Sequence, residues 1–316
     1  MSDANGDAKR ATLITKSFRG DFDACKILCE SVDRFVPETI LHQLIVPEND
    51  VALFSVLASS RRQIISESGG LLPRWFVKLP LPPPRWRALL RLPRRDIYAT
   101  PFSRPVRGWI AQQIMKIAAA HAAPTEIVLF CDSDSAFVRP FHLEHVLHGD
   151  KARLYQHPDP VERQSHKLWH LAACELLNLP PDEYHGGDYI DALVLWRRSA
   201  VRKLTERLEA ISGRDWRVTL ARRQHFSEYI LYGVFVECAL GVDAAGHVAE
   251  ASSLCHTRWT EEFSGEADQA AFVRALEPQH LMCLVQSTLS LSLPERRALN
   301  ERLVDFAASQ DAAAGA

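Results

Sequence analysis

Ile127-Val128-Leu129-Phe130-Cys131-Asp132-Ser133-Asp134 decides how this chain is read: an apolar, strand-forming run stops at two carboxylates one residue apart. A continuous apolar run of this length is expected for a strand buried on both faces, as in the parallel sheet of an α/β domain. Ligands of such sheets gather at the carboxyl ends of the strands, where Asp132, Ser133 and Asp134 fall. Two carboxylates so close repel each other unless a proton or a cation relieves them. Hard divalent ions such as Mg²⁺ or Mn²⁺ take oxygen ligands of this kind and share them with substrate phosphates. The competing reading is a plain polar exit from the strand, since Asp and Ser are common turn formers.

Outward from this run the pattern alternates. Residues 11–15 read as a strand, and Phe22, Cys25, Leu28, Cys29, Val32 and Phe35 then recur at helical spacing until Pro37. A second strand is expected at 41–46, a short helix near 51–58, a third strand at 63–66, a helix over 109–120 and the decisive strand at 126–131. Strands alternating with helices predict a doubly wound, mixed sheet in an α/β fold. The expected division is a disordered N-terminus over 1–10, one catalytic domain over 11–266 and a mostly helical C-terminal appendage over 267–316. That appendage is built around one short strand at 280–285, and its tail from Ala307 is read as frayed.

With 316 residues, 47% of them hydrophobic and 24% charged, the chain has ample material for a core. A net charge of −2 exerts no overall pull on nucleic acid, and no such partner is expected. Seven irregularly spaced cysteines read as reduced thiols, with Cys25 and Cys29 one helical turn apart in the core. The N-terminus lacks an apolar signal core and no segment reaches membrane-spanning length, so a cytoplasmic location is expected, extending to the inner face of the membrane.

Three enzyme logics place Asp-X-Asp at a strand end. In nucleotide-sugar transferases the pair holds a metal against the pyrophosphate of the donor. In aspartate-nucleophile phosphatases the first carboxylate is phosphorylated and the second moves protons. In nucleotidyl transferases the carboxylates hold two metals. The phosphatase pattern usually stands on the first strand, with Thr or Val two residues after the second Asp; here it comes late, and Ala136 takes that place.

Gly108-Trp109-Ile110-Ala111-Gln112-Gln113-Ile114-Met115-Lys116 precedes the strand, and Cys131-Asp132-Ser133-Asp134 closes it. Asp191-Ala192-Leu193-Val194-Leu195-Trp196, Phe226-Ser227-Glu228-Tyr229-Ile230-Leu231-Tyr232-Gly233 and Gln286-Ser287 follow in order. In order and spacing these segments resemble the GT-A-type glycosyltransferases, and among them an uncharacterised bacterial branch, over roughly residues 11–290. The resemblance implies a GT-A-like fold, a nucleoside-diphosphate sugar donor, a glycan or lipid-linked hydroxyl acceptor, and Mn²⁺ or Mg²⁺ on Asp132 and Asp134. It further implies a late histidine as metal ligand, for which His256 in Cys255-His256-Thr257 is the best match, although the surrounding pattern departs from the family's.

The remaining candidates each carry two readings. Thr15, Lys16, Ser17 and Arg19, at the end of the first strand, either contact the donor's base or phosphate or form a solvated loop. Gln112, Gln113 and Lys116 lie on the helix of 109–120, where Gln112 and Lys116 share a face, so that Lys116 meets a phosphate or lies exposed. Ser227 is a natural cap, and Glu228 is either a first-turn charge on the dipole or a carboxylate facing the acceptor. Asp188 and Asp191, ahead of the apolar run 192–196, bind an acceptor hydroxyl or serve turn and edge. Histidines 142, 145 and 148 have helical spacing and read as a solvated face, and Cys238, His247, Cys255 and His256 lack the paired spacing of a zinc site.

Residues 71–107 interrupt the alternation with prolines, tryptophans and arginines. Nine cationic side chains against the single Asp96 give this insertion a charge of +8. Arginines among Trp75, Phe76 and Trp86 suit an anionic membrane surface, a lid over the donor or an anionic polysaccharide; otherwise the segment is a surface loop held by its prolines. The expected activity is metal-dependent transfer of a sugar to a hydroxyl acceptor. A phosphatase or nucleotidyl transferase, and a non-enzymatic carbohydrate- or membrane-binding module, stand as the alternatives.

Overall fold

The computed structural model describes residues 10–80, 82, 86, 96–158, 164–180 and 187–314. The expected disorder of the first nine residues, much of the arginine-rich stretch of the insertion, and Gly186 lie outside the described residues. The strands are β1 (Ala11–Lys16), β2 (Ile40–Val46), β3 (Arg62–Ser66), β4 (Val77–Lys78), β5 (Ile97–Ala99), β6 (Val106–Arg107) and β7 (Ile127–Cys131), followed by β8 (Ser135–Phe137), β9 (Leu147–His148), β10 (Lys151–Tyr155), β11 (Leu193–Arg197), β12 (His247–Glu250), β13 (Cys255–Arg258) and β14 (Met282–Val285). The helices are α1 (Phe22–Phe35), α2 (Val51–Phe54), α3 (Gly108–Ala122), α4 (Gln164–Leu177), α5 (Arg198–Ser212), α6 (Trp216–Ala221), α7 (Glu228–Val234), α8 (Glu266–Arg274) and α9 (Leu293–Ala314).

The fold is mixed α/β with a parallel-rich central sheet in the order β11-β7-β1-β2-β3. Strands β7, β1, β2 and β3 are parallel, and β11 runs antiparallel to β7 at the edge. All five residues of β7 are buried, as its unbroken apolar run predicts. Side chains alternate across the pleat, so Val128 and Phe130 pack toward α3, while Ile127, Leu129 and Cys131 pack toward α1 with Leu28 and Val32. Strand β1 divides in the same way, with Ile14 on the first side and Leu13 on the second.

After Cys131 the chain leaves this sheet and re-enters a second one, β13-β14-β8. Asp132-Ser133-Asp134 is the bridge between the two. The C-terminal stretch is more closely built in than an appendage: β14 pairs with β8, and Leu299, Leu303 and Val304 of α9 share a core with Ile27, Ala136 and Val138. Nor is the tail frayed at Ala307. That residue is fully buried, its carbonyl accepts from Arg139 (3.1 Å), and the helix runs on to Ala314. Histidines 142 and 145 sit on a single tight turn instead of a helix, and His148 belongs to β9.

The insertion forms its own small antiparallel sheet, β4-β5-β6. Phe76, Tyr98 and Val106 are buried in the main core, and Trp75 stacks on Phe76 with 4.6 Å between ring centroids. Trp75 and Phe76 therefore anchor the insertion to the fold. Only Trp86 of the three aromatics named above stands out into solvent.

Candidate functional site

The strand order reverses between β1 and β7: β2 and β3 lie beyond β1 on one side, and β7 with β11 on the other. A crevice opens at the carboxyl ends of strands at such a reversal. Asp132 follows β7 there, and Thr15 and Lys16 end β1 beside it. Antiparallel β11 adds a third contributor. Its first residue, Leu193, faces Cys131, so Asp191 arrives from the other direction at the same edge.

Lys116 is the centre of the arrangement. It projects from α3 with its ammonium 3.0 Å from Glu228 Oε1 and 3.8 Å from Asp132 Oδ1, and it donates to the Tyr229 hydroxyl at 3.0 Å. Burial works against its charge, yet the oxygens of Tyr229, Glu228 and Asp132 together hold its pKa well above the ordinary lysine value. Helix α7 brings the two partners. Ser227 caps it by accepting from the Ile230 amide (3.4 Å), and Glu228 follows in the first turn. Capping and dipole thus place Glu228, but its buried carboxylate points at Lys116 instead of the helix end. Gln113 pins the joint: its Oε1 accepts from the Glu228 amide (2.8 Å) while its Nε2 donates to the Trp109 carbonyl (3.4 Å). Gln113, three residues before Lys116, is the glutamine turned to the site; Gln112 is exposed and takes no part.

The two aspartates differ. The Asp132 side chain is 40% exposed and lies 3.8 Å from Lys116. Asp134 is largely enclosed, and its Oδ2 accepts from the Ser287 amide (2.7 Å). Burial, followed by repulsion from Asp132, pushes its pKa up to about 6. A third carboxylate, Asp21 at the start of α1, accepts from Ser133 Oγ at 3.3 Å, and burial raises its pKa too. Arg296 of α9 lies near both Asp21 and Asp134 and offsets part of this repulsion. Its guanidinium donates to the carbonyls of Val285, Gln286 and Leu289, which fixes the Ser287 loop against Asp134.

At the end of β1 the structure divides the candidates: Thr15, Lys16 and Ser17 are enclosed, while Arg19 is solvated. Thr15 is buried and hydrogen-bonded to Cys131 Sγ (3.1 Å), and Ser17 is buried as well. Lys16 forms a buried ion pair with Glu67 at 2.6 Å, and Arg19 turns outward to Asp50 at 2.7 Å. Asp191 is 7% exposed and accepts from the Ala192 amide and Ser253 Oγ, both at 2.8 Å. Burial raises its pKa to about 6. Asp188 accepts from the Ile190 amide (3.1 Å) and lies 3.7 Å from His166 Nε2, so the turn reading and a polar contact are both realised.

His256 is not brought to the aspartates. Its Nε2 is bonded to the Phe272 carbonyl (2.8 Å) and its ring stacks on Phe272 at 4.0 Å, on the side of the second sheet that faces α8. One ring nitrogen and one ring face are thus engaged with Phe272, and no contact joins His256 to Asp132 or Asp134 among the described residues. Among the described residues no group of three or more His, Cys, Asp or Glu is placed to hold a metal ion by itself. Mg²⁺ commonly takes only one or two carboxylates and completes its shell with phosphate and water. An open Asp132 and an enclosed Asp134, whose mutual repulsion a cation would relieve, fit that donor set. Asp21, Arg296 and the role of Tyr229 carry no sequence signal, since each meets the site across a separation of more than 100 residues.

One family model matches, over residues 11–308, that of a family of unknown function, DUF6492. No curated protein matches the chain.

Proposed function

We propose that this chain, which belongs to the DUF6492 family of unknown function, is a glycosyltransferase with a GT-A-like fold that moves a sugar from a nucleoside-diphosphate donor to a hydroxyl acceptor. The observation that carries this reading is the Asp132–Lys116–Glu228 constellation at the point where the strand order reverses. That crevice suits a ligand bearing phosphates, and it presents an exposed carboxylate beside a buried ammonium.

Asp132 and Asp134 would hold Mn²⁺ or Mg²⁺, which supplies charge neutralisation on the departing diphosphate. The Ser287 amide fixes Asp134 so that one of its oxygens stays free for this task. Lys116 offsets the repulsion between Asp132 and Glu228 and would add a fixed positive charge near the leaving group. Its bond to Tyr229 and the packing of α3 hold that charge in place, so little rearrangement is needed when charge develops. Asp191, at the same edge of the sheet, is the carboxylate that would take the proton of the acceptor hydroxyl. Asp188, next to it, would orient that acceptor.

The test is a product assay with a panel of nucleoside-diphosphate sugars, with and without Mn²⁺. Metal-dependent release of a nucleoside diphosphate, lost in Asp132→Ala, supports the reading. Release of inorganic phosphate or pyrophosphate instead would assign the pair to a phosphatase or nucleotidyl transferase.

A further inference from the structure

The insertion between β3 and α3 carries a surface that the proposed transfer does not use. Its sheet turns Tyr98 and Val106 into the core, so the alternation of the strands turns Val77, Ala99, Ile97 and Arg107 outward. Val77 is 55% exposed, and Phe102, in the turn after β5, is 48% exposed with its ring edge-on to Trp75 at 4.9 Å. Trp86, earlier in the insertion, is equally exposed. Arg74, Arg104 and Arg107 are exposed near them, whereas Lys78 lies on the Tyr98 side of the sheet, paired with Asp96 at 2.6 Å. The whole chain carries −2 and the insertion +8, which leaves −10 on the remainder, so the charge is sharply divided.

We propose that this face docks on an anionic lipid bilayer. Protruding aliphatic and aromatic side chains set among arginines match the two parts of such a surface, since acyl chains take the apolar groups and anionic headgroups take the cations. A nucleic acid or soluble polyanion would engage the arginines but leaves Val77 without a role. The acidic remainder of the chain is repelled by the same surface, so the insertion is the part that faces it. The docked face is tied to the crevice. The Tyr98 hydroxyl donates to Glu67 (3.0 Å), and Glu67 holds Lys16 at the end of β1 (2.6 Å). Docking would therefore bring the carboxyl edge of the central sheet close to the membrane.

Sedimentation of the full chain with vesicles of phosphatidylcholine, alone or mixed with phosphatidylglycerol, tests the proposal. The chain should bind the mixed vesicles only, and less as salt rises. Arg74→Glu combined with Arg104→Glu should weaken binding about tenfold or more. Val77→Ser combined with Phe102→Ser should weaken it even at low salt, with an unchanged melting temperature confirming that the variant folds. Failure of wild type to bind anionic vesicles overturns the proposal, as does undiminished binding by either folded variant. Capture by immobilised heparin that anionic vesicles do not compete would assign the face to a soluble polyanion. Asp132→Ala should bind vesicles as wild type does, so the docking and transfer readings fail separately.

Discussion

Lys116 meets the oxygens of Glu228 and Tyr229 at 3.0 Å each and lies 3.8 Å from the more exposed Asp132. A buried carboxylate whose cation is removed is left unpaired at a cost of about 3–5 kcal/mol. Lys116→Met should therefore destabilise the protein by roughly that amount, and adding Glu228→Gln should recover part of the loss. Urea denaturation of the two single variants and the double variant measures the coupling; strictly additive losses would show that the pair does not interact. Asp191 gives a second test, through pH. Its folded pKa of about 6 lies above its ordinary 3.8, so the folded state holds the extra proton between these values. Stability contributed by the protonated form is then lost as pH rises through that window. Asp191→Asn keeps an oxygen for Ala192 and Ser253 but carries no charge. Relative to this variant, wild type should lose about 2–3 kcal/mol between pH 4 and 7. Parallel stability curves would show that Asp191 is not held protonated by the fold. At the level of single residues the sequence exposed Asp132 and Asp134, because two carboxylates closing a buried apolar run stand out against it. It concealed Asp21 and Arg296, whose meaning is entirely one of distant contact, and it misdirected His256, whose strand turns it toward Phe272.

The elements were legible where periodicity is strong. Strands β1, β2, β3 and β7 and helices α1 and α3 fall within a residue or two of the expected positions. What periodicity could not convey is rotation: Lys116 and Gln112 share a stripe on α3, yet it is Gln113 that α7 covers. Helix α7 is set in turn by Gly233, where an added Cβ would lie 2.2 Å from the buried ring of Tyr189. Gly233→Ala should force the two apart, lowering stability by about 1–3 kcal/mol. Because α7 carries Glu228, the shift should also weaken the contact with Lys116. Calorimetry on this variant reads the first effect, and a melting temperature equal to that of wild type would show that Tyr189 yields freely.

Across the molecule, the candidate site is assembled from widely separated parts: the end of β7, the start of α1, α3, α7, the start of β11 and the loop before α9. The sequence marks the C-terminal stretch as an appendage because its helices follow a change of pattern at about residue 267. Pairing of β14 with β8 and the grip of Ser287 on Asp134 make it part of the site. Such pairings between distant strands leave no local trace in a sequence. No helix among the described residues is long and apolar enough to cross a membrane. The proposed transfer stands or falls on whether Asp132 and Asp134 bind a nucleoside diphosphate through a divalent cation. Isothermal titration of uridine and guanosine diphosphates into the protein, with and without Mn²⁺, puts this to the test. At least one diphosphate should bind, tenfold or more tightly with Mn²⁺ than without, and the gain should vanish in Asp132→Ala with Asp134→Ala. Binding indifferent to Mn²⁺, or unchanged in the folded double variant, would contradict it.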